Sequence, residues 1–397
     1  MFYALKDAAF RLEESMTDRV KIKPSLIEWA LDRSGDRSKI EMKFPKMDEW
    51  ISGTRQPTFK QLEELSQSTL TPLGYFFLDE PPEEKLPIPL FRTMGDQSNR
   101  RPSAELLETY YTMERRQSWM REYLIDLGHD KLPFVGSARL NEKPVKIASD
   151  IRNVLNLPEL WASGRKNWTD AMRFFRELIE QAGVLVFVNG ILGNNTHRKL
   201  DVEEFRGFVV VDDFAPLIFV NGADAKSAQL FTLAHELAHV WFGKSAAFDF
   251  KSLEPADDPI ERACDRVAAE FLVPENDLLL EWSRVKDHDD RFQRLARKYK
   301  VSEIVAARRA LDLKRIDQKE FFDFYNRSIS IEKQKSGESS GGDYYTTQKG
   351  RLGSRFSLAL IRAVESGELL FRDAYRLTGM NAKTFDEFCS RLKSSGE

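Results

Sequence analysis

The stretch His235-Glu236-Leu237-Ala238-His239 constrains this chain more than any other. Residues four apart on an α-helix share a face, so a helix here aims both imidazoles at a single point. Glu236 sits beside the pair, placed to accept a proton from a water activated by a metal ion held there. The flanks agree with a helix: Phe231-Thr232-Leu233-Ala234 precede the motif, Val240-Trp241-Phe242 follow it, and Gly243 supplies a stop. The chain has five histidines in 397 residues, so coincidence is a poor explanation for two of them bracketing a glutamate at this spacing. A fold that satisfies the motif must bring a third ligand to that helix.

A catalytic zinc site takes three protein ligands and keeps one position open. Downstream lies the run Glu261 to Pro274, in which Cys264, Val267, Ala268, Phe271 and Leu272 form one helical stripe that Pro274 ends. It carries three acids, Glu261, Asp265 and Glu270. Glu261 and Asp265 are four apart and share a face, so one can bind metal while the other accepts the free ring N–H of a ligand histidine. Glu270 falls on a different face. The reading therefore takes His235, His239 and Glu261 as ligands, Asp265 as the residue that orients a ligand histidine, and Glu236 as general base. Zn2+ is the expected ion, with Mn2+ able to substitute on such N/O ligands.

These residues carry a family resemblance. Phe231 to His239, followed by Glu261-x-x-Cys264-Asp265 and Ala268-Ala269-Glu270-Phe271-Leu272-Val273-Pro274, resembles the ImmA/IrrE family of zinc metallopeptidases, gluzincin-like enzymes with two histidines and a downstream glutamate on the metal. The upstream runs Arg206-Gly207-Phe208-Val209-Val210-Val211-Asp212 and Pro216-Leu217-Ile218-Phe219-Val220-Asn221 look like the family's two strands before the active-site helix. The resemblance covers residues 168 to 285. Cys264-Asp265 departs from it, where many relatives have alanine and asparagine; Asp265 keeps the hydrogen-bonding capacity. The resemblance implies an α+β fold, a small zincin-like core of a short sheet and active-site helices flanked by mostly helical domains.

Length implies two to four domains, and 42% hydrophobic with 11% aromatic residues is enough for packed cores. A net charge of −3 removes any global attraction to nucleic acid, so such binding would have to be local. Two cysteines, Cys264 and Cys389, are too few for a disulfide-stapled secreted protein. Lys6, Asp7, Arg11, Glu13 and Glu14 interrupt any signal-peptide core, and no apolar run reaches membrane-spanning length, so the expectation is a cytoplasmic protein with no membrane partner.

Along the chain, 1–80 reads as a helical domain. Trp50-x-x-Gly53-x-x-x-Pro57-Thr58-x-x-x-Leu62-x-x-Leu65, leading into Pro72-Leu73-Gly74-Tyr75-Phe76-Phe77, resembles the second half of a repressor-type helix-turn-helix domain. Its recognition stretch would be Lys43 to Trp50, through which Pro45 disfavours a clean helix. DNA recognition and protein recognition both remain open for it. Residues 81–165 combine the proline-rich link Pro81 to Pro89 with a helical region, 166–285 hold the metallopeptidase core, and 286–330 form a basic helix-turn-helix-like segment. That segment is open to three readings: packing with a solvated basic face, a protein partner, or nucleic acid. A flexible linker at 331–350 and a small helical unit at 351–397 complete the chain.

The reaction these residues fit is peptide hydrolysis, and the resemblance implies as natural target a regulatory protein, a repressor or an antitoxin, in a stress-response, mobile-element or toxin–antitoxin setting. The rival is a toxin–antitoxin component or DNA-binding regulator that acts mainly by binding. His197, Arg266, His288 and Tyr299 are candidates for a second stabiliser of the developing oxyanion. Oligomeric state is not readable from the sequence.

Overall fold

The computed structural model describes residues 19–87, 90–91, 102–248, 258–332, 348 and 350–394. The linker expected at 331–350 and the charged residues cited between Lys6 and Glu14 fall largely or wholly outside them. The chain is mixed α+β and divides into two compact units, residues 1–87 with 99–111, and 88–98 with 112–397.

In the first unit, helices α1 (Pro24–Arg33), α2 (Arg37–Lys43), α3 (Met47–Ile51) and α4 (Phe59–Thr69) are followed by a 3-10 turn over Leu73–Phe77. Leu26, Ile27, Leu31, Trp50, Leu62 and Leu65 supply its buried core. Thr58 caps α4 in a reciprocal box: its hydroxyl accepts from the Gln61 N–H while the Gln61 side chain accepts from the Thr58 N–H. No single helix crosses 43–50. The chain leaves α2 at Lys43, buries Phe44, turns at Pro45-Lys46 and restarts at Met47, as a proline there requires. The five-residue α3 exposes Asp48 and Glu49.

In the second unit, a five-stranded sheet has the order β1–β7–β5–β6–β2, from β1 (Leu90–Phe91), β2 (Leu185–Asn189), β5 (Gly207–Val210), β6 (Leu217–Asn221) and β7 (Ala246–Phe248). Strand β5 is antiparallel to both neighbours, with Gly207 opposite Val220 on one side and Phe248 on the other. β2 runs parallel to β6. At Asn189-Gly190 the chain leaves the sheet for a separate hairpin of β3 (Ile191–Leu192) and β4 (Asn195–Lys199). Gly190 is needed there for space, since a Cβ would sit 2.5 Å from the Ala223 nitrogen.

Helices α5 (Ala104–Asp126), α6 (Pro144–Val154) and α7 (Trp168–Gln181) precede the sheet's main strands in sequence. α8 (Lys226–Phe242) and α9 (Pro259–Leu272) carry the motif residues. α10 (Glu275–Val285), α11 (Arg291–Tyr299), α12 (Glu303–Asp312) and α13 (Gln318–Glu332) come next, then α14 (Ser354–Glu365), α15 (Phe371–Thr378) and α16 (Ala382–Ser394). One buried cluster joins Ile151, Phe175, Ile218, Leu233, Val267 and Phe271 with Phe292, Leu295 and Ala307, so the segment 286–330 shares its core with the segment 166–285. Many of its basic side chains are engaged locally: Arg291 with Glu320, Arg294 with Asp290, Lys298 with Asp277 and Glu281, Arg308 with Asp312, Arg309 with Glu270. The C-terminal helices dock on the same unit through Phe356, which meets Phe187 of β2 and Trp119 of α5 edge-on. Among the described residues, no helix is long and apolar enough to cross a membrane.

Candidate metal centre

Both ends of α8 are fixed. At its start Asn221, buried as the last residue of β6, donates to the Phe205 carbonyl and accepts from the Ala223 N–H, turning strand into helix. Gln229 then donates to the Gly222 and Asp224 carbonyls, tying that turn to the first helical turn. At the other end Gly243 takes the left-handed conformation (φ 68°) that stops the helix. The loop at 134–138 captures two of the helix's last carbonyls, Gly136 N–H to Val240 and Ala138 N–H to Trp241, while Phe134 stacks on Trp241. A helix held at both ends presents His235, Glu236 and His239 in one fixed orientation.

Helix α9 is started by Asp258, whose carboxylate accepts from the Ile260 and Glu261 N–H groups, with Pro259 in the first turn. That cap places Glu261 in the first turn of α9, where the helix dipole favours a negative charge. Its apolar stripe, with Cys264, Val267, Ala268 and Phe271 buried, packs against α8.

The two helices bring His235, His239 and Glu261 together. One donor atom from each lies within 4.8 Å of the others, and all three side chains are buried. The Nε2 atoms of His235 and His239 are 3.1 Å apart. Glu261 reaches both, with Oε2 3.1 Å from His235 Nε2 and Oε1 3.0 Å from His239 Nε2. Behind His235 the Nδ1–H donates to Asp265 Oδ1 at 3.0 Å, which fixes the ring so that Nε2 faces the centre. His239 Nδ1 and both carboxylate oxygens of Glu236 are buried and have no hydrogen-bond partner among the described residues.

Burial without partners sets the electrostatics. Burial opposes charge on His235, but its hydrogen bonds to Asp265 and Glu261 and the attraction of both carboxylates push it up to about 10. Burial alone would raise Glu261; the bonds from the two histidines outweigh it and hold the group down at about 2. His239 moves down through burial, although Glu261 pulls the other way. Glu236 is raised well above the ordinary carboxylate range, first by burial, against the pull of His235 and with the push of Glu261. With no ion bound, the two carboxylates favour a proton on His235 and the two imidazoles favour the ionised form of Glu261. Two imidazole nitrogens and one carboxylate, 3.0–3.1 Å from one another and with an oriented first histidine, suit a divalent metal ion.

The remaining candidates lie elsewhere. Glu270, at the far end of α9, is buried against Arg309, and Arg152 donates to its carbonyl. Tyr299 is buried and donates to Asp277. His197 is exposed on β4, and Arg266 and His288 are exposed as well. Two residues around Glu236 had no role in the sequence reading: Thr232, one turn earlier on α8, and Gly207, at the start of β5. A Cβ at Gly207 would fall 2.6 Å from Thr232 Cγ2 and 3.3 Å from Glu236 Oε1. The available signal was a glycine opening the apolar strand run Phe208-Val209-Val210.

Comparison with known families agrees with this geometry. Residues 179–311, which hold all five motif residues, match the family model of the IrrE N-terminal-like domain, a metallopeptidase family. Residues 352–391 match a domain of unknown function, DUF8813. Among curated proteins none matches the chain.

Proposed function

We propose that this chain, whose residues 179–311 carry the domain of the ImmA/IrrE metallopeptidase family, is a zinc-dependent endopeptidase that cleaves a regulatory protein, a repressor or an antitoxin. The observation that supports it best is the convergence of His235, His239 and Glu261 on one buried point with the unpartnered Glu236 carboxylate beside it. A structural histidine pair has no use for an uncompensated buried carboxylate, which costs stability unless it has work to do.

His235, His239 and Glu261 would hold the ion, and Asp265 would keep the His235 ring in the tautomer that binds it. Zinc in this setting supplies Lewis acidity toward a water and a peptide carbonyl. Glu236 takes a proton from the attacking water on its carboxylate and delivers it to the departing amine nitrogen, so one group serves as base and then acid. Its raised proton affinity suits the second half of that task. The buried setting strengthens each of these interactions relative to water.

A regulatory target fits a chain that joins this core to a small helical unit resembling repressor domains. Asp48 and Glu49, exposed on the shortened third helix, suit protein contacts better than a phosphate backbone. The test is incubation of the zinc-loaded protein with the product of the adjacent gene, followed by mass spectrometry of fragments, alongside Glu236→Gln. Fragments made by the wild type and not by the variant are expected. If the biological effect persists in a folded, zinc-loaded Glu236→Gln protein, the chain acts by binding and the peptidase reading is wrong.

A further inference from the structure

Gly207 occupies a position where glycine is unfavourable on backbone grounds. It lies in β5, paired on both sides, and its φ is not among the positive values that glycine alone tolerates. Glycine inside a strand loses conformational entropy and contributes no packing, so it marks a place where something must come close. What comes close here is α8. A Cβ at 207 would meet Thr232 Cγ2 at 2.6 Å, the Phe219 carbonyl oxygen at 2.8 Å and Glu236 Oε1 at 3.3 Å. The first is a clash with a branched, buried side chain whose rotamer freedom is small. The second is with the backbone of the neighbouring strand. The third is with the proposed general base itself.

Among the described residues, no hydrogen bond anchors either oxygen of Glu236. Its carboxylate is therefore oriented by the space around it, and the space a Cβ at Gly207 would fill lies against both Glu236 Oε1 and the Thr232 methyl. We propose that Gly207 and Thr232 are positioning residues for Glu236, together setting the angle at which its carboxylate meets the attacking water. The inference rests on the peptidase reading and deepens it. The chain keeps a glycine in a paired strand because a methyl there would turn the carboxylate away from its work. Displacement of a reacting group by about 1 Å can cost on the order of a hundredfold in rate.

Three variants test this: Gly207→Ala, Thr232→Ser, which removes only Cγ2, and the double variant. Each is measured for metal content, for kcat and KM on a peptide substrate, and for the visible spectrum of the cobalt-loaded protein, with Glu236→Gln as reference. Gly207→Ala should keep one metal per chain and a KM within about twofold, while kcat falls by about tenfold to a hundredfold. Its cobalt spectrum should move toward that of Glu236→Gln. Adding Thr232→Ser frees room on one side of the new methyl while its contact with the Phe219 carbonyl remains, so the double variant should recover part of the lost kcat, a non-additivity expected of residues in contact. Additive effects, or a kcat loss with a wild-type cobalt spectrum, would overturn the positioning role. If Gly207→Ala does not fold, Thr232→Ser alone decides: loosening the wall should lower kcat at unchanged metal content, and unchanged kcat refutes the proposal. A wild-type protein that binds cobalt yet cleaves nothing would defeat the peptidase reading instead. In that case the spectra of Gly207→Ala and Glu236→Gln still report whether the two residues are linked.

Discussion

Helix α9 buries a carboxylate at each end, and the two are handled in opposite ways. Glu270 faces Arg309, a permanent cation, whose guanidinium also donates to the Val273 carbonyl, and the Glu270 carbonyl takes a further bond from Arg152. That group is committed. Glu261 faces two imidazoles that can each give up a proton, and it acts on Glu236, which has no hydrogen-bond partner among the described residues. That group is exchangeable, because a metal ion can take the place of the proton that Glu261 and Asp265 favour on His235. A buried acid with a fixed partner holds helices together, whereas one surrounded by titratable neighbours is available for chemistry.

Separating the two ends by mutation gives the largest expected effect. Glu261→Ala should leave a folded protein that no longer retains about one metal per chain, since two ligands form an incomplete shell. Glu270→Gln should do the reverse: metal is retained, and stability falls by about 3–5 kcal/mol because Arg309 is left buried without its charge partner. Metal analysis and thermal melting of both variants check this. Metal loss from Glu270→Gln with retention in Glu261→Ala would invert the assignment of the two acids.

The next effect is on rate. Glu236→Gln keeps volume and removes the ability to carry a proton, and positioned acid–base groups contribute about 10²–10⁴-fold. Cleavage should slow by at least about a hundredfold while metal content stays as in the wild type. Retained cleavage would mean that another group serves as base.

Much of the centre was legible in the sequence because helical spacing is rigid. His235 and His239 had to share a face, and Glu261 and Asp265 had to share another, wherever the helices went. What spacing could not give was the distance between α8 and α9, which depends on the loop at 134–138 and on a core that draws in Phe292 and Leu295 from the basic segment. The same non-local packing hid the fate of that segment. Counted along the chain, its arginines and lysines leave packing, a protein partner and nucleic acid all open, because the acidic partners of Arg291 and Lys298, which are Glu320, Asp277 and Glu281, arrive from neighbouring helices. The role of Gly207 was hidden for a related reason, since a glycine's neighbours across a sheet and a helix have no signature in its own flanks.

A smaller effect is expected at Asp265, the one residue of the set with appreciable exposure. Asp265→Ala removes the acceptor that fixes the His235 tautomer, and such changes typically weaken metal binding by about 10–100-fold without abolishing it. Competition with a chelator of known affinity measures this. An unchanged affinity would mean that packing in α8 alone orients His235.

The smallest effect is on pH dependence, and its sign differs between the two protonation partners in the metal-free protein. His235 is raised from 6.5 to about 10, so its contribution to stability is complete below about 6.5 and is lost as pH rises through about 10. Glu261 is lowered from 4.5 to about 2, so its contribution is complete above 4.5 and disappears only as pH falls through about 2. Glu236, raised above 4.5, adds to the first trend, because the folded state holds a proton that rising pH removes. The metal-free protein should therefore melt at progressively lower temperature from about pH 6.5 upward, whereas between about pH 4.5 and 6.5 Glu236 lowers stability as pH rises and His239, whose proton affinity burial reduces, raises it. Metal binding demands a neutral His235, so the loaded protein should lose most of that slope, and loading at neutral pH should release a proton. Melting curves of both forms across this range, with a weakly buffered titration for the proton, supply the check. A metal-free protein as indifferent to alkaline pH as the loaded one would show that His235 and Glu261 do not share a proton, and the contrast between the two ends of α9 would fail with it.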